Sequence, residues 1–208
     1  MKPKQRQAKR ERKSKETQIK AELNIDGQGK AKIKTNIGML DHMLELFTFH
    51  GCFDLKIEVK RADLQVDAHH TNEDVGIVLG QLFKEALGNK AGIRRFGSAF
   101  APMEKTIGRT IVDISGRGYF TLDGVGGVDV VKDKDGYSMK YLEHFMESFD
   151  HALGATIHVK IENQDMDIHT NLETIYKSFG LALDQATQVD PRRKGTVPLN
   201  KRFSGFFN

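Results

Sequence analysis

Apolar and polar positions alternate along residues 17–25 (TQIKAELNI), the pattern of a half-buried strand. Asp26-Gly27-Gln28-Gly29 supplies turn chemistry and KAKIKT alternates again, which predicts a hairpin between the two runs. From Asp41 to Phe49 the apolar positions fall at helical spacing instead. DLKIEVK (54–60) reads as a strand, and NEDVGIVLGQLFKEALG (72–88) as an amphipathic helix stopped by Gly88. The first half therefore predicts strand, strand, helix, strand and helix, with room for one more strand before the last helix.

From about Thr106 the order repeats. RTIVDIS (109–115) and GYFTLDG (118–124) read as strands, Lys140 to His151 as a helix, ATIHVKIEN (155–163) as a strand and NLETIYKSFGLALDQA (171–186) as a helix. The residues repeat as well as the order. Asp41-His42 is answered by Glu143-His144, and Leu55, Ile57 and Val59 by Ile157, Val159 and Ile161. Asp67, His69, His70 and Glu73 are answered by Asp167, His169, Thr170 and Glu173. Such repetition sets the architecture. It predicts an α+β domain over 16–190 by internal duplication of two half-domains, about 16–100 and 106–190, each a small mixed sheet with helices packed on one face. VGGVDVVKDKDGY (125–137) reads as a loop or loose hairpin, and residues 191–208 as an irregular tail anchored by Phe203, Phe206 and Phe207.

Composition adds limits rather than identity. The hydrophobic content of 38% and charged content of 29% are those of a folded, globular chain. No apolar run is long enough for a membrane helix, and the charged N-terminus lacks the apolar segment of a secretory signal. The single Cys52 excludes an internal disulfide framework and fits a reducing compartment, with cytoplasm the default. The net charge is +4 and the pI near 9.0, but most of the excess sits in residues 1–15, where eight lysines and arginines face only Glu11. That run reads as a solvated basic tail, with weak attraction to nucleic acid as the alternative. The body is close to neutral, so the pI says little for nucleic acid as a partner.

Five of the eight histidines fall in the repeated positions: His42, His69, His70, His144 and His169. Taken singly, a histidine is most often a surface or satisfied core residue. The pairing of histidines with Glu73 and Glu173 at a predicted strand-to-helix junction, repeated with a partner histidine upstream in each half, points to metal. His70 and Glu73, three apart, are expected on one helix face, with His69 aimed elsewhere. Histidine and carboxylate without thiolate suit Zn, Mn or Fe better than Ca or Mg. Thr170 stands where the first half has His70, which predicts one ion held by one fewer protein ligand and more loosely than the other.

The strings LDHML (40–44), HHTNEDVGIVLG (69–80), GIRRFG (92–97), DISGR (113–117), EHF (143–145), HTNLE (169–173) and DPRRKGTVP (190–198) closely resemble the imidazoleglycerol-phosphate dehydratases. The resemblance runs from about Arg12 to Lys201. It implies histidine biosynthesis, two divalent ions per active site, most often Mn²⁺, and a symmetric homo-oligomer of twenty-four subunits with active sites between subunits. Carried over residue by residue, it implies metal ligation by His42, His69, His70, Glu73, His144, His169 and Glu173. It implies that Glu16 reaches the substrate, and that Arg95, Arg117, Lys177 and Lys201 hold its phosphate, Lys201 from the C-terminal tail. Several cations, arginine forks above all, are what a phosphate dianion needs.

The implied reaction removes water from imidazole-glycerol phosphate to give imidazole-acetol phosphate. The proton that must leave has no neighbouring carbonyl to acidify it, so ions gripping both ring nitrogens would serve as Lewis acids and template. Glu16 and Glu173 are the acid/base candidates. The family pattern is broken at Thr170, at Leu199 and Asn200 before Lys201, at Arg202, at Lys105 and at Gly118. A divergent metal-binding paralogue with altered catalysis is therefore the second reading, and a basic nucleic-acid-binding module a distant third.

Overall fold

A computed structural model describes residues 6–128, 131–193 and 196–197. The first sheet contains β1 (Gln7–Lys13), β2 (Gln18–Asn24), β3 (Ala31–Lys34) and β4 (Asp54–Arg61); the second contains β5 (Phe96–Met103), β6 (Thr106–Asp113), β7 (Tyr119–Asp123) and β8 (Thr156–Glu162). The helices are α1 (Gly38–His50), α2 (His69–Leu87), α3 (Met139–Leu153) and α4 (Ile168–Thr187). Strand order is β1-β2-β4-β3 in one sheet and β5-β6-β8-β7 in the other. In each, three neighbours run antiparallel and the edge strands β3 and β7 join β4 and β8 in parallel. The chain is a duplicated α+β fold.

Each sheet is covered on one face by helices. α1 and α2 lie on the first sheet, α3 and α4 on the second, and the helix layers meet through α2 against α3 and α1 against α4. The alternation in sequence is the reason. Ile19, Ala21 and Leu23 face Val59, Ile57 and Leu55 across β2 and β4, all buried, while Lys20, Glu22, Lys56 and Glu58 face outward. One continuous core joins the halves. Its centre holds one phenylalanine from each helix: the Phe47 ring lies 4.9 Å from Phe179 and 6.1 Å from Phe83, and Phe149 lies 5.2 Å from Phe179. Among the described residues no helix is long and apolar enough to cross a membrane.

Several expectations change. The hairpin expected between residues 17–25 and KAKIKT does not form. β2 pairs with β1 and β4, and β3 joins the far side of β4 in parallel, because a helix separates β3 from its partner. Residues 7–13 of the expected basic tail form edge strand β1, and ion pairs join Arg6 with Asp26, Lys9 with Glu22, Arg10 with Glu85 and Arg12 with Asp74. A lysine- and arginine-rich edge strand resists pairing with another chain. The boundary between halves falls between Leu87 and Phe96, since β5 belongs to the second sheet. The tail beyond Asp190 begins with a short 3-10 turn, Pro191–Arg193. Leu199, Asn200, Lys201, Arg202 and the three phenylalanines of that tail lie outside the described residues.

Candidate metal centre

The repeated histidines stand at or near the starts of the four helices. Asp67 Oδ1 accepts the His69 N–H at 2.7 Å, and Asp167 Oδ1 accepts the His169 N–H at 2.9 Å. The two aligned aspartates therefore fix the starts of α2 and α4 by satisfying N–H groups that a helix leaves unpaired.

On α1 and α4, His42 Nε2 lies 3.1 Å and His169 Nε2 2.8 Å from the same Glu173 oxygen, Oε1. The two imidazoles stack with ring centres 5.1 Å apart. The three ligand atoms lie within 4.8 Å of one another. Lys177 donates to the other Glu173 oxygen. Burial opposes ionisation of Glu173, but hydrogen bonds from Lys177, His42 and His169 outweigh it and hold the carboxyl down at about 2.

On α2 and α3, His69 Nε2 lies 3.3 Å from Glu73 Oε2, and the His69 and His144 rings meet edge to face at 4.2 Å. Burial, and then the nearby His69, push the His144 imidazole toward its neutral form, and its Nδ1 is buried without a hydrogen-bond partner. Each cluster thus takes its carboxylate and one histidine, four residues apart, from one half and its second histidine from the other. Imidazoles and a carboxylate without thiolate, with an unused buried ring nitrogen, fit a divalent transition ion.

The helix partner of Glu73 is His69, not His70, because i and i+4 side chains lie over one another here. His70 turns to Asp63, with Nδ1 3.2 Å from Oδ2. That bond, opposed by partial desolvation and aided by the charges of Asp63, Glu16 and Asp67, raises its pKa. Thr170, the counterpart of His70, is buried at the start of α4 beside His169.

Glu16 is exposed in the turn between β1 and β2, which is anchored on α2 by Arg12 and Thr17 donating to Asp74. The same turn receives Arg61 at the Ser14 carbonyl. Arg95 and Arg117 flank the end of β6. The Arg95 fork binds Asp113 at 2.6 and 3.0 Å, and exposed Arg117 follows a turn closed by Ser115. Lys177 joins the Glu173 cluster. Sequence reasoning missed Asp63, Asp74 and Asp113, acidic partners that fix His70, the Glu16 turn and Arg95; an unexplained acid near each was the available signal.

Fold and clusters define a class: a two-halved α+β protein with histidine–glutamate centres built across the halves. Residues 35–183 match the imidazoleglycerol-phosphate dehydratase family. The chain is 49% identical over 193 residues to the imidazoleglycerol-phosphate dehydratase of Geobacter metallireducens, covering 92% of this chain and 96% of that one. It is 43% identical to the Bacillus pumilus enzyme of that name, covering 94% and 98%. The crystal structure of the Staphylococcus aureus dehydratase superposes with a TM-score of 0.75 at 32% identity, covering 88% and 99%; that from Pyrococcus furiosus gives 0.72 at 34%, covering 90% and 99%. The chain belongs to the imidazoleglycerol-phosphate dehydratase family and is a hydro-lyase.

Proposed function

We propose that the chain is a metal-dependent dehydratase acting on imidazole-glycerol phosphate, with two divalent ions, Mn²⁺ foremost. The pair of exchanged His–His–Glu clusters carries this reading. His42, His169 and Glu173 would hold one ion; His69, Glu73 and His144 would hold the other, with His70 beside it. When bound, the ions supply Lewis acidity toward the ring nitrogens of the substrate.

The residues of the chain divide the remaining work. Glu173 accepts from Lys177 and lies against the His42 and His169 imidazoles, a place that suits a metal ligand. Glu16, exposed on an anchored turn whose charge is felt at His70, is the better proton carrier. It would take the proton from the carbon next to the one attached to the ring. The hydroxyl on the ring-attached carbon leaves as water, and the resulting enol regains a proton at that carbon to become the acetol. Arg95, Arg117, Lys177 and Lys201 are proposed as phosphate contacts. The chain is further proposed to work in the cytoplasm as a large symmetric homo-oligomer. The clusters lie on two different helix pairs while Arg95 and Arg117 flank β6, so neighbouring subunits would complete each site.

Stripping the purified protein with a chelator should abolish dehydration, and Mn²⁺ should restore it. Replacing His69 and His70 with Ala should sharply lower bound metal. Full activity in protein shown by elemental analysis to be metal-free would overturn the reading.

A further inference from the structure

Two clefts of about 560 and 350 Å³ lie either side of the loop around 131–137. They share Met39, Lys132 and Asp133, and run from Asp67 and Ala68, where α2 starts, to Asp167 and His169, where α4 starts. The loop is closed on Asp133, whose Oδ1 accepts the N–H groups of Asp135 at 2.9 Å and Tyr137 at 2.7 Å. It ends by burying Tyr137 completely enough to leave 2% exposed.

The Tyr137 hydroxyl donates to Asn72 Oδ1 at 3.0 Å, and Asn72 Nδ2 donates to the Tyr141 carbonyl at 2.6 Å. Asn72 has no exposed surface, so water cannot replace either bond. It sits on α2 between His69 and Glu73. Tyr141 is on α3, three residues before His144, with its ring 6.5 Å from that of His144. One buried amide thus ties the helix carrying two donors of a cluster to the helix carrying the third. Among the described residues the other cluster has no such amide tie. Its counterparts of Asn72 and Tyr141 are Leu172 and Met39, and its carboxylate is held by Lys177, whose own counterpart is Ile77.

We propose that Asn72 is a positioning residue for the His69–Glu73–His144 cluster, and that through Tyr137 it makes the seating of the 131–137 loop a condition of that cluster's geometry. The inference rests on the reading of the clusters as metal sites. The two centres are related by duplication but fixed by different devices, one a neutral amide staple and the other a lysine.

The test is Mn²⁺ titration of full-length, chelator-treated protein, with melting followed in parallel. The native chain should bind two ions. Asn72→Leu should weaken one of them about tenfold and leave the other within twofold. Tyr137→Phe, which loses a single hydroxyl, should weaken the same ion by a smaller factor, and the double variant should do no more than Asn72→Leu. Glu173→Gln identifies the unaffected ion by weakening it instead. Native affinities for both ions in Tyr137→Phe and Asn72→Leu would overturn the proposal even if both melt earlier. So would equal weakening of the two ions, the mark of general loosening. Should Asn72→Leu fail to fold, unchanged binding by Tyr137→Phe alone overturns it. A native chain that binds no Mn²⁺ overturns the metal reading, and this inference with it.

Discussion

Asp150 lies on α3 with no exposed surface. His151 Nδ1 is 2.5 Å from its Oδ1 but also lies 2.7 Å from the Glu147 carbonyl, and neither Asp150 oxygen has a well-directed hydrogen bond. Burial, only partly offset by His151, pushes its pKa up to about 6 from 3.8. A raised carboxyl pKa contributes stability below the unfolded value that is lost as pH rises through the folded one. The native chain should therefore lose ground to Asp150→Asn between pH 4 and pH 6, by on the order of 2 kcal/mol. Chemical denaturation of both at the two pH values checks this; parallel stability curves would show that Asp150 does not carry the shift. At the proposed phosphate site, Arg117→Ala should remove about 1.5–3 kcal/mol of substrate binding, on the order of a tenfold to hundredfold rise in KM. An unchanged KM would remove Arg117 from the site. The histidines and glutamates of the clusters were legible because they recur in both halves. The pairing of His70 with Asp63 was not, because a three-residue spacing and a four-residue spacing both look plausible until the start of α2 is fixed.

Among the elements, the two strands that sequence patterning passed over are β1 and β5, which occupy the same place in each half. β1 buries only Ala8 among its seven residues, so its alternation is faint. β5 alternates in the unexpected sense, with small Gly97, Ala99 and Ala101 inward and Phe96 and Phe100 outward. Gly97 has no side chain because the α4 backbone at Ala182 lies against it, leaving no space for a Cβ. Close approach also governs the helix layer. A Cβ on Gly76 would stand 2.6 Å from the Phe145 carbonyl oxygen, and one on Gly80 would meet that of Phe149. A Cβ on Gly180, the counterpart of Gly80, would likewise stand 2.5 Å from the carbonyl oxygen of Phe47, the counterpart of Phe149. Gly80→Ala should therefore destabilise the protein by about 1–3 kcal/mol despite the better helix propensity of alanine. Equilibrium unfolding reads this directly, and a gain in stability would show that α2 and α3 can part at little cost. The same contacts set how closely the cluster-bearing helices lie.

For the molecule as a whole, the duplicated architecture was legible from the residue-by-residue repeat, while the pairing of strands was not, since register and order depend on contacts distant in sequence. The two outer sheet faces are unlike. The first is charged, with Lys9, Glu11, Lys20, Glu22, Lys56 and Glu58. The second presents Phe96 and Phe100, each more than half exposed, with Ile111 and Tyr119 on the same face. An exposed apolar patch of this kind marks an interaction surface. Sedimentation should accordingly find a large particle, and Phe100→Lys with Ile111→Lys should yield a smaller species of unchanged secondary structure. A native monomer that is fully loaded with metal would sink the proposed assembly. Undiminished size in the double variant would place the contacts elsewhere.

The crossing of donors between halves bears on ancestry and on dissection. A single half folded alone would own a His–Glu pair and a lone upstream histidine, but no complete centre. Two identical halves, related by a twofold axis, would own two. The chain can thus be understood as a fused homodimer whose copies have since diverged at positions such as Asn72 and Leu172. Cut between Leu87 and Phe96, the pieces should be inert apart and regain both centres only on reassociation, which makes metal uptake a direct reporter of complementation.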